Sequence, residues 1–353
     1  MSSARKSEIQ KQKELQSHLL QGVSRTFAIT IPQLPPELQS VVGNAYLLCR
    51  AVDTIEDEPS LNSSHKKQFC DRFVQVVNDQ ENPKHFSKDL ISRLSIHTKE
   101  EEKELVSRLH DVITITKSFT DAQRESLIRC VKSMAEGMSS FQEKASRRGL
   151  QDLQEMRRYC YYVAGVVGEM LTDLFCLHSK RISERGHELR KLSVSFGQGL
   201  QMTNILKDVW EDYDREICWL PREEFLKRDY DLEELRQRGS DSSFQKTFLE
   251  LIRLAQGNLQ DALQYARLIP RHEIGIRKFL LQAVSMAVMT LDKIEKNPGF
   301  TRGDEVKITR SAVKRTLFLS NLMARSDFLI SAFSRLAFPK QEAFLARQAI
   351  KGP

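Results

Sequence analysis

An all-α fold is predicted for this chain by three features of its sequence. Apolar residues recur at helical rather than alternating spacing, and strand-like runs are short and isolated. Helix breakers are also scarce, with 15 Gly and 10 Pro in 353 residues. Hydrophobic residues make up 40%, enough for a sizeable core, so a single-domain helical bundle is expected rather than a disordered or repeat architecture.

The elements follow in order. A polar stretch, 1–20, reads as an extension that is helical or partly disordered. A body spans 21–340 and a short tail 341–353. Leu38, Val41, Val42, Ala45, Leu48, Val52 and Ile55 give Glu37 to Glu58 a helical stripe, which Pro59 ends. Across 97–176 one helix follows another, with Thr98-x-x-Glu101 and Thr120-x-x-Gln123 as expected capping boxes and Gly149 as a boundary. A loop is expected around Ser179 to Gly186. Helices are then expected over Leu189 to Tyr213, Glu233 to Ile269, Ile274 to Glu295 and Ser311 to Ala332.

Charge narrows the partners only slightly. Lys and Arg exceed Asp and Glu by 54 to 47, a formal +7 that suits nucleic acid, an anionic membrane or a polyphosphate. The basic residues are interleaved with Glu and no nucleic-acid motif occurs, so no nucleic-acid partner is expected. The six cysteines show no C-x-x-C spacing and read as free thiols of a cytoplasmic protein. The first residues lack the apolar core of a signal peptide, and no run of apolar residues is long enough to span a bilayer. Membrane contact is therefore expected to be peripheral, at the inner face, and the protein to be a monomer.

Two words carry the chemistry. Asp53-Thr54-Ile55-Glu56-Asp57 and Asp208-Val209-Trp210-Glu211-Asp212 share the pattern D-x-x-E-D. On a helix, carboxylates at i and i+4 share a side, so Asp53 pairs with Asp57 and Asp208 with Asp212. Such pairs repel, and a hard cation such as Mg2+ resolves the conflict. One acidic word in so charged a chain is a solvated helix face; two in apolar helices are not. Asn204, Asp208 and Asp212 fall on one stripe with Gln201 close by, a polar line that destabilises a core unless it meets metal, water or ligand. Arg25, Arg50, Lys207, Arg215 and Arg222 lie beside these words as candidate phosphate partners. A third word, Tyr159 to Gly168, places Gly165 and Gly168 inside a helix, for close approach either of a bulky ligand or of a second helix. Tyr159, Tyr162 and Phe196 read either as core aromatics or as a lining that steadies positive charge.

These words together resemble the squalene and phytoene synthase family over most of Ser24 to Ser311. Ser24-Arg25-Thr26-Phe27 resembles its N-terminal segment, Tyr46 through Asp57 the helix of its first Asp-rich motif, Tyr159 to Gly168 its tyrosine-containing helix, and Gly197 through Asp212 its second Asp-rich motif. The resemblance implies an isoprenoid-synthase-type bundle around a central cavity, in which two farnesyl diphosphates condense head to head and NADPH then supplies hydride. It implies Mg2+ at Asp53, Asp57, Asn204, Asp208 and Asp212, and catalysis by those four aspartates with Tyr159 assisting proton transfer. Substrate contacts are implied for Ser24, Arg25, Phe27, Tyr46, Arg50, Gln201, Asn204, Lys207 and Arg215, and cofactor contacts for Tyr46, Asn204, Lys307 and Arg310.

Within the family, the first acidic word and Val306 to Arg310 resemble the squalene-forming branch, whereas Arg215 to Glu223 resembles the bacterial carotenoid branch. A dehydrosqualene or phytoene synthase that omits the hydride step is therefore the alternative enzyme. The C-terminal membrane helix of eukaryotic members is not seen, which fits a soluble bacterial type. No G-x-G-x-x-G follows a strand, so a dinucleotide would have to bind among helices. If helical, Lys307 and Arg310 would share a side and clamp its phosphate. The rival from another class is a basic helical module that binds nucleic acid or a membrane surface.

Overall fold

The computed structural model describes residues 3–24, 26–239 and 241–338. Arg25 and the 341–353 tail lie outside the described residues. The chain is all-α, as predicted, and its contacts fall into two compact units, Met1–Glu143 with Glu169–Gly186, and Lys144–Gly168 with His187–Pro353. Among the described residues the only strand-like pairing is an isolated bridge between Leu150 and Pro221.

In the first unit the helix Pro36–Asp57 is the central element, burying Leu47, Leu48, Ala51, Val52 and Ile55 against Ser63–Val77 and Asp121–Gln142. It ends at Asp57 because Pro59 disfavours helical backbone at Glu58, which is extended (φ −70, ψ 113). The helix Ser3–Val23 packs on it through Leu19 and Leu20 and through a buried relay. Gln16 Nε2 donates to Asn44 Oδ1 at 3.1 Å, and Asn44 Nδ2 donates to Thr116 Oγ1 at 2.6 Å. Every buried amide in that relay is partnered, so it fixes register without an unsatisfied group.

Thr120 and Gln123 form the expected capping box. Thr98 does not. The helix Glu100–Ser107 starts one residue later, after Lys99, and Thr98 Oγ1 instead donates to Glu58 Oε2. Burial alone would raise the Glu58 carboxyl, but Thr98 and the backbone N–H groups of Ser60 and Ser95, at 2.9 and 3.0 Å, outweigh it and hold it at about 2. A buried carboxylate thus outcompetes a helix end for the hydroxyl.

The chain first leaves the second unit, after Gly168, within one continuous helical run. The helix Leu153–Cys160 widens into a π-turn over Tyr161–Gly165 and resumes as Val166–His178. The glycines here serve helix–helix approach rather than a ligand. A Cβ on Gly168 would lie 2.1 Å from Ser193 O, and one on Gly197 2.1 Å from Ala164 O, so the run crosses the helix Gly186–Lys207 almost backbone to backbone. Where a loop was expected near Ser179 to Gly186, a short helix, Lys180–Ser183, intervenes.

The rest of the second unit is a helical stack. Ser242–Leu268 packs on Ile274–Lys296, which packs on Arg310–Met323. By mean hydropathy both Ile274–Lys296 and Leu153–His178 could cross a membrane, contrary to the sequence expectation, but 72% of the window in Ile274–Lys296 is buried inside the fold, as for a core helix. The expected helix from Ser311 to Ala332 breaks at Ala324, and Ser326 caps a separate helix, Asp327–Ala337, by accepting from Leu329 N.

Arg277, with no exposed side-chain surface, donates to Asp327 Oδ1 at 2.6 Å, while Arg271 Nε donates to Oδ2 at 2.7 Å. Burial pushes the Asp327 carboxyl up, but these hydrogen bonds outweigh that and leave it below the usual range. Asp327→Asn is expected to destabilise the protein by roughly 3 kcal/mol in urea unfolding, because the Arg277 charge stays buried without its counter-ion. A depressed folded pKa contributes stability above the unfolded value of about 4 and loses it below. The gap between wild type and Asp327→Asn should therefore close as pH falls below about 4.

Candidate functional site

The first acidic word closes a helix, where orphan carbonyls already make the potential negative, whereas the second spans a helix break, Asp208 following one helix and preceding Val209–Asp214, whose first turn holds Glu211 and Asp212. In the first unit Asp53 to Asp57 occupies the last turn of Pro36–Asp57, with Asp53 half-buried and Asp57 exposed. Arg50 is the organising cation. Its Nη1 lies 3.5 Å from Asp53 Oδ2, and its Nη2 hydrogen-bonds Glu102 Oε1. Burial raises the Asp53 carboxyl to about 7, Arg50 opposing and Asp57 adding to the rise. The Arg50 guanidinium keeps a buried Nε with no hydrogen-bond partner. One turn earlier Tyr46 stacks at a tilt on Phe27, ring centroids 4.8 Å apart, and hydrogen-bonds Ser24. Ser24, Phe27, Tyr46, Arg50 and Asp53 are thus neighbours, as the sequence predicted.

In the second unit the helix Gly186–Lys207 breaks at Asp208 and continues as Val209–Asp214. The hydrogen-bond register survives the break. Asp208 N bonds Asn204 O at 2.8 Å and Asp212 N bonds Asp208 O at 2.9 Å, so Asn204, Asp208 and Asp212 keep one stripe. Lys207 Nζ lies 3.0 Å from Asp208 Oδ2 and Arg215 Nη2 2.6 Å from Asp212 Oδ1. Burial raises the Asp208 carboxyl, with Lys207 opposing. Gln201 is half-buried and Asn204 exposed. Tyr159 is buried and stacks on Trp219, centroids 4.0 Å apart and planes 11° off parallel. Phe196 is a core aromatic, edge-on to Tyr265, and Tyr162 is edge-on to Tyr161.

The glutamate of each word takes a different part from its aspartates. Glu56 Oε1 accepts from Gln142 Nε2 in the first unit, and Glu211 Oε1 accepts from Gly303 N at 3.0 Å in the second. Beside Glu211, Trp210 Nε1 donates to Phe300 O at 2.6 Å. The second word is thereby stapled to the Phe300–Val306 segment, and a Cβ on Gly303 would lie 2.5 Å from Glu211 Oε1.

That staple leads towards Lys307 and Arg310, and here the sequence expectation fails. Lys307 is extended (φ −66, ψ 134) and ends a 3-10 turn, while Arg310 begins the next helix, so the two share no helical side. Both are exposed, and the Lys307 carbonyl accepts from Lys293 Nζ at 2.5 Å.

Three partners were not foreseen. Trp219 and Gly303 are reached through the fold and have no local signature. Glu102 was not singled out, yet Glu102, Leu105, Val106 and Leu109 are all buried and follow a helical stripe that the sequence does contain.

Among the described residues no three His, Cys, Asp or Glu side chains converge as a ready-made metal cage. The donor set fits a different arrangement. Mg2+ commonly takes one or two carboxylates and fills its remaining positions with water and phosphate oxygen. Asp53 with Asp57, and Asp208 with Asp212, supply the carboxylates, and the unpartnered Arg50 Nε is a donor for an anionic oxygen.

The squalene/phytoene synthase family pattern matches residues 20–312. Squalene synthases of Phoma sp. and Solanum lycopersicum are each 31% identical to this chain, the matches covering 81% and 87% of it and 66% and 70% of their own lengths. One of Gibberella zeae is 29% identical, covering 84% of this chain and 61% of its own. The chain thus spans about two thirds of these relatives. Among solved structures, TcSQS in complex with a ligand superposes with a TM-score of 0.73 at 23% identity, covering 95% of this chain and 99% of that one. A dehydrosqualene synthase gives 0.66 at 19%, covering 90% and 97%. These two structural likenesses concern the fold.

Glu211→Ala is expected to speed hydrogen exchange at the Gly303 amide by about tenfold, the consequence of losing ~1.4 kcal/mol of local stability. Glu211→Gln keeps an acceptor oxygen and should stay close to wild type; equal effects in both variants would show that charge, rather than the hydrogen bond, holds the segment.

Proposed function

This chain belongs to the squalene/phytoene synthase family, and from that premise we propose that it is a squalene synthase, joining two farnesyl diphosphates head to head and reducing the product with NADPH. The observation that carries the reading is the placement of two D-x-x-E-D words, one at a helix end and one across a helix break, each with an aspartate raised by burial and a cation beside it.

In this reading Asp53 with Asp57 in the first unit, and Asp208 and Asp212 with Asn204 in the second, would hold Mg2+ for the substrate diphosphates. The bound metal supplies Lewis-acid stabilisation of the departing diphosphate. Arg50, through its unpartnered Nε, together with Lys207, Arg215 and the undescribed Arg25, takes the remaining phosphate oxygens. Ser24, Phe27 and Gln201 border these groups, and Tyr46 adds its ring and hydroxyl. Attack by the second substrate's double bond, followed by loss of a proton, gives presqualene diphosphate. Tyr159 is held rigid by its stack on Trp219 and orients that proton transfer. A phenol is a weak base alone, with an ordinary pKa of about 10, so a diphosphate oxygen accepts the proton. Lys307 and Arg310 would bind the NADPH phosphates as separate exposed cations, with Tyr46 and Asn204 as further cofactor contacts. The similarity to squalene synthases supports this product over dehydrosqualene or phytoene. We place the protein in the cytoplasm, peripheral to the membrane, as a monomer.

Incubation with farnesyl diphosphate and Mg2+, with and without NADPH, followed by mass spectrometry of the hydrocarbons, tests the assignment. Squalene is expected only with NADPH. Dehydrosqualene in both incubations would remove the hydride step, and turnover of geranylgeranyl diphosphate alone would make the enzyme a phytoene synthase. Asp53→Asn and Asp208→Asn should each lower turnover by about 100-fold or more with unchanged circular dichroism, since several kcal/mol of leaving-group stabilisation is lost. Tyr159→Phe should abolish product and leave substrate binding intact.

Metal binding should also depend on pH. Asp53 binds a proton until pH passes about 7, and a cation must displace that proton. Calorimetric Mg2+ affinity in the presence of a non-reacting diphosphate should therefore be about tenfold weaker at pH 6 than at pH 8. The dependence should flatten in Asp53→Asn.

A further inference from the structure

The helix Arg310–Met323 is inside out. Its core-facing residues include Thr316 and Ser320, whose hydroxyls bond back to Ala312 O and Thr316 O, while Phe318, Leu319 and Leu322 face solvent. The next helix, Asp327–Ala337, repeats the pattern with exposed Phe328, Leu329 and Leu336. Of the eleven large apolar side chains exposed among the described residues, these six are clustered; the other five are scattered over separate segments. Phe318 is 64% exposed, Phe328 71% and Leu336 81%, far beyond what a surface facing only water would favour. Phe318 and Leu322 are one turn apart and Leu329 and Leu336 two, so each helix presents an apolar stripe.

The charge around the stripes has one sign. Residues 310–338 contain Arg310, Lys314, Arg315, Arg325 and Arg335, all exposed, against one carboxylate, Asp327, which Arg271 and Arg277 already engage. Lys314 and Arg315 lie one turn before Phe318 and Leu319, Arg325 lies in the turn between the two helices, and Arg335 is beside Leu336.

We propose that this face docks onto an anionic lipid bilayer, its Phe and Leu side chains entering the acyl boundary and its Lys and Arg reaching headgroup phosphates. Charge decides against the two nearest competitors. The 339–353 segment carries Lys340, Arg347 and Lys351 against Glu342 alone, so it would cover a basic face with more positive charge. A second copy would set the same five cations against themselves. The proposal specifies a membrane-facing surface that the peripheral assignment above leaves open, and it does not depend on the reaction.

The test is sedimentation of the full chain with phosphatidylcholine vesicles, with and without phosphatidylglycerol. Binding is expected only with the anionic lipid and should fall as NaCl is raised. Phe318→Ser with Phe328→Ser, and separately Arg315→Glu with Arg325→Glu, should each weaken it by about tenfold or more, with circular dichroism and farnesyl diphosphate turnover as in wild type. Absence of binding to either vesicle, or binding unaltered by both pairs, overturns the proposal. Slow hydrogen exchange over 318–336 in the lipid-free chain would mean that its own tail covers the face. A dimer dispersed by Phe318→Ser with Phe328→Ser, without lipid binding, would mean that a second copy does; either result also overturns it.

Discussion

Like charges held one turn apart on a helix are the constraint that recurs in both units. The carboxylates repel each other, and in the first word the unpaired carbonyls of the helix end add to that repulsion. In the first unit the conflict is met by Arg50 and by a proton retained on Asp53 up to about pH 7. In the second it is met by Lys207 and Arg215. Neither arrangement removes the excess negative charge, so each word stays receptive to a cation. Glu102 follows from the same constraint, because an arginine so buried needs a second counter-ion once Asp53 is protonated.

The D-x-x-E-D pattern then reads as two functions sharing one word. The aspartates present charge, whereas Glu56 and Glu211 are spent on Gln142 and Gly303 and pin a neighbouring segment to the acidic helix. Displacement of the second word would be felt directly by Phe300 to Val306, which Trp210 and Glu211 grip together. A carboxylate that ties down backbone is better placed to keep its aspartate neighbours in position than one free to join them.

The sequence made the helices legible through periodicity and the pairing of Arg50 with Asp53 legible through one-turn spacing, whereas Ser24, Phe27 and Tyr46 were marked by the family resemblance. It also made legible the stripe of Asn204, Asp208 and Asp212, which survives a break that periodicity does not reveal. It misjudged Thr98 because a cap competes with any buried acceptor nearby, and Glu58 is distant in sequence. The Ser311 to Ala332 helix was overextended although Ser326-Asp327 carries the signal of a new start. The condition on which Lys307 and Arg310 would share a side is not met, since three residues of separation imply a shared face only where the backbone turns regularly. The glycine word was readable as close approach, but only the backbone of Ser193 and Ala164 identifies what approaches.

The π-turn at Tyr161–Gly165 has a consequence for how this region can change. A π-turn takes an additional residue into one turn, which rotates everything beyond it by about 100° relative to a regular helix. Tyr159 upstream is committed to Trp219, and Gly168 downstream to the backbone of Ser193. The extra residue is what allows both commitments to be met by one helix. The number of residues between Tyr159 and Gly168 is therefore constrained as well as their identity, and a chain one residue shorter there could satisfy the aromatic stack or the backbone crossing, but not both.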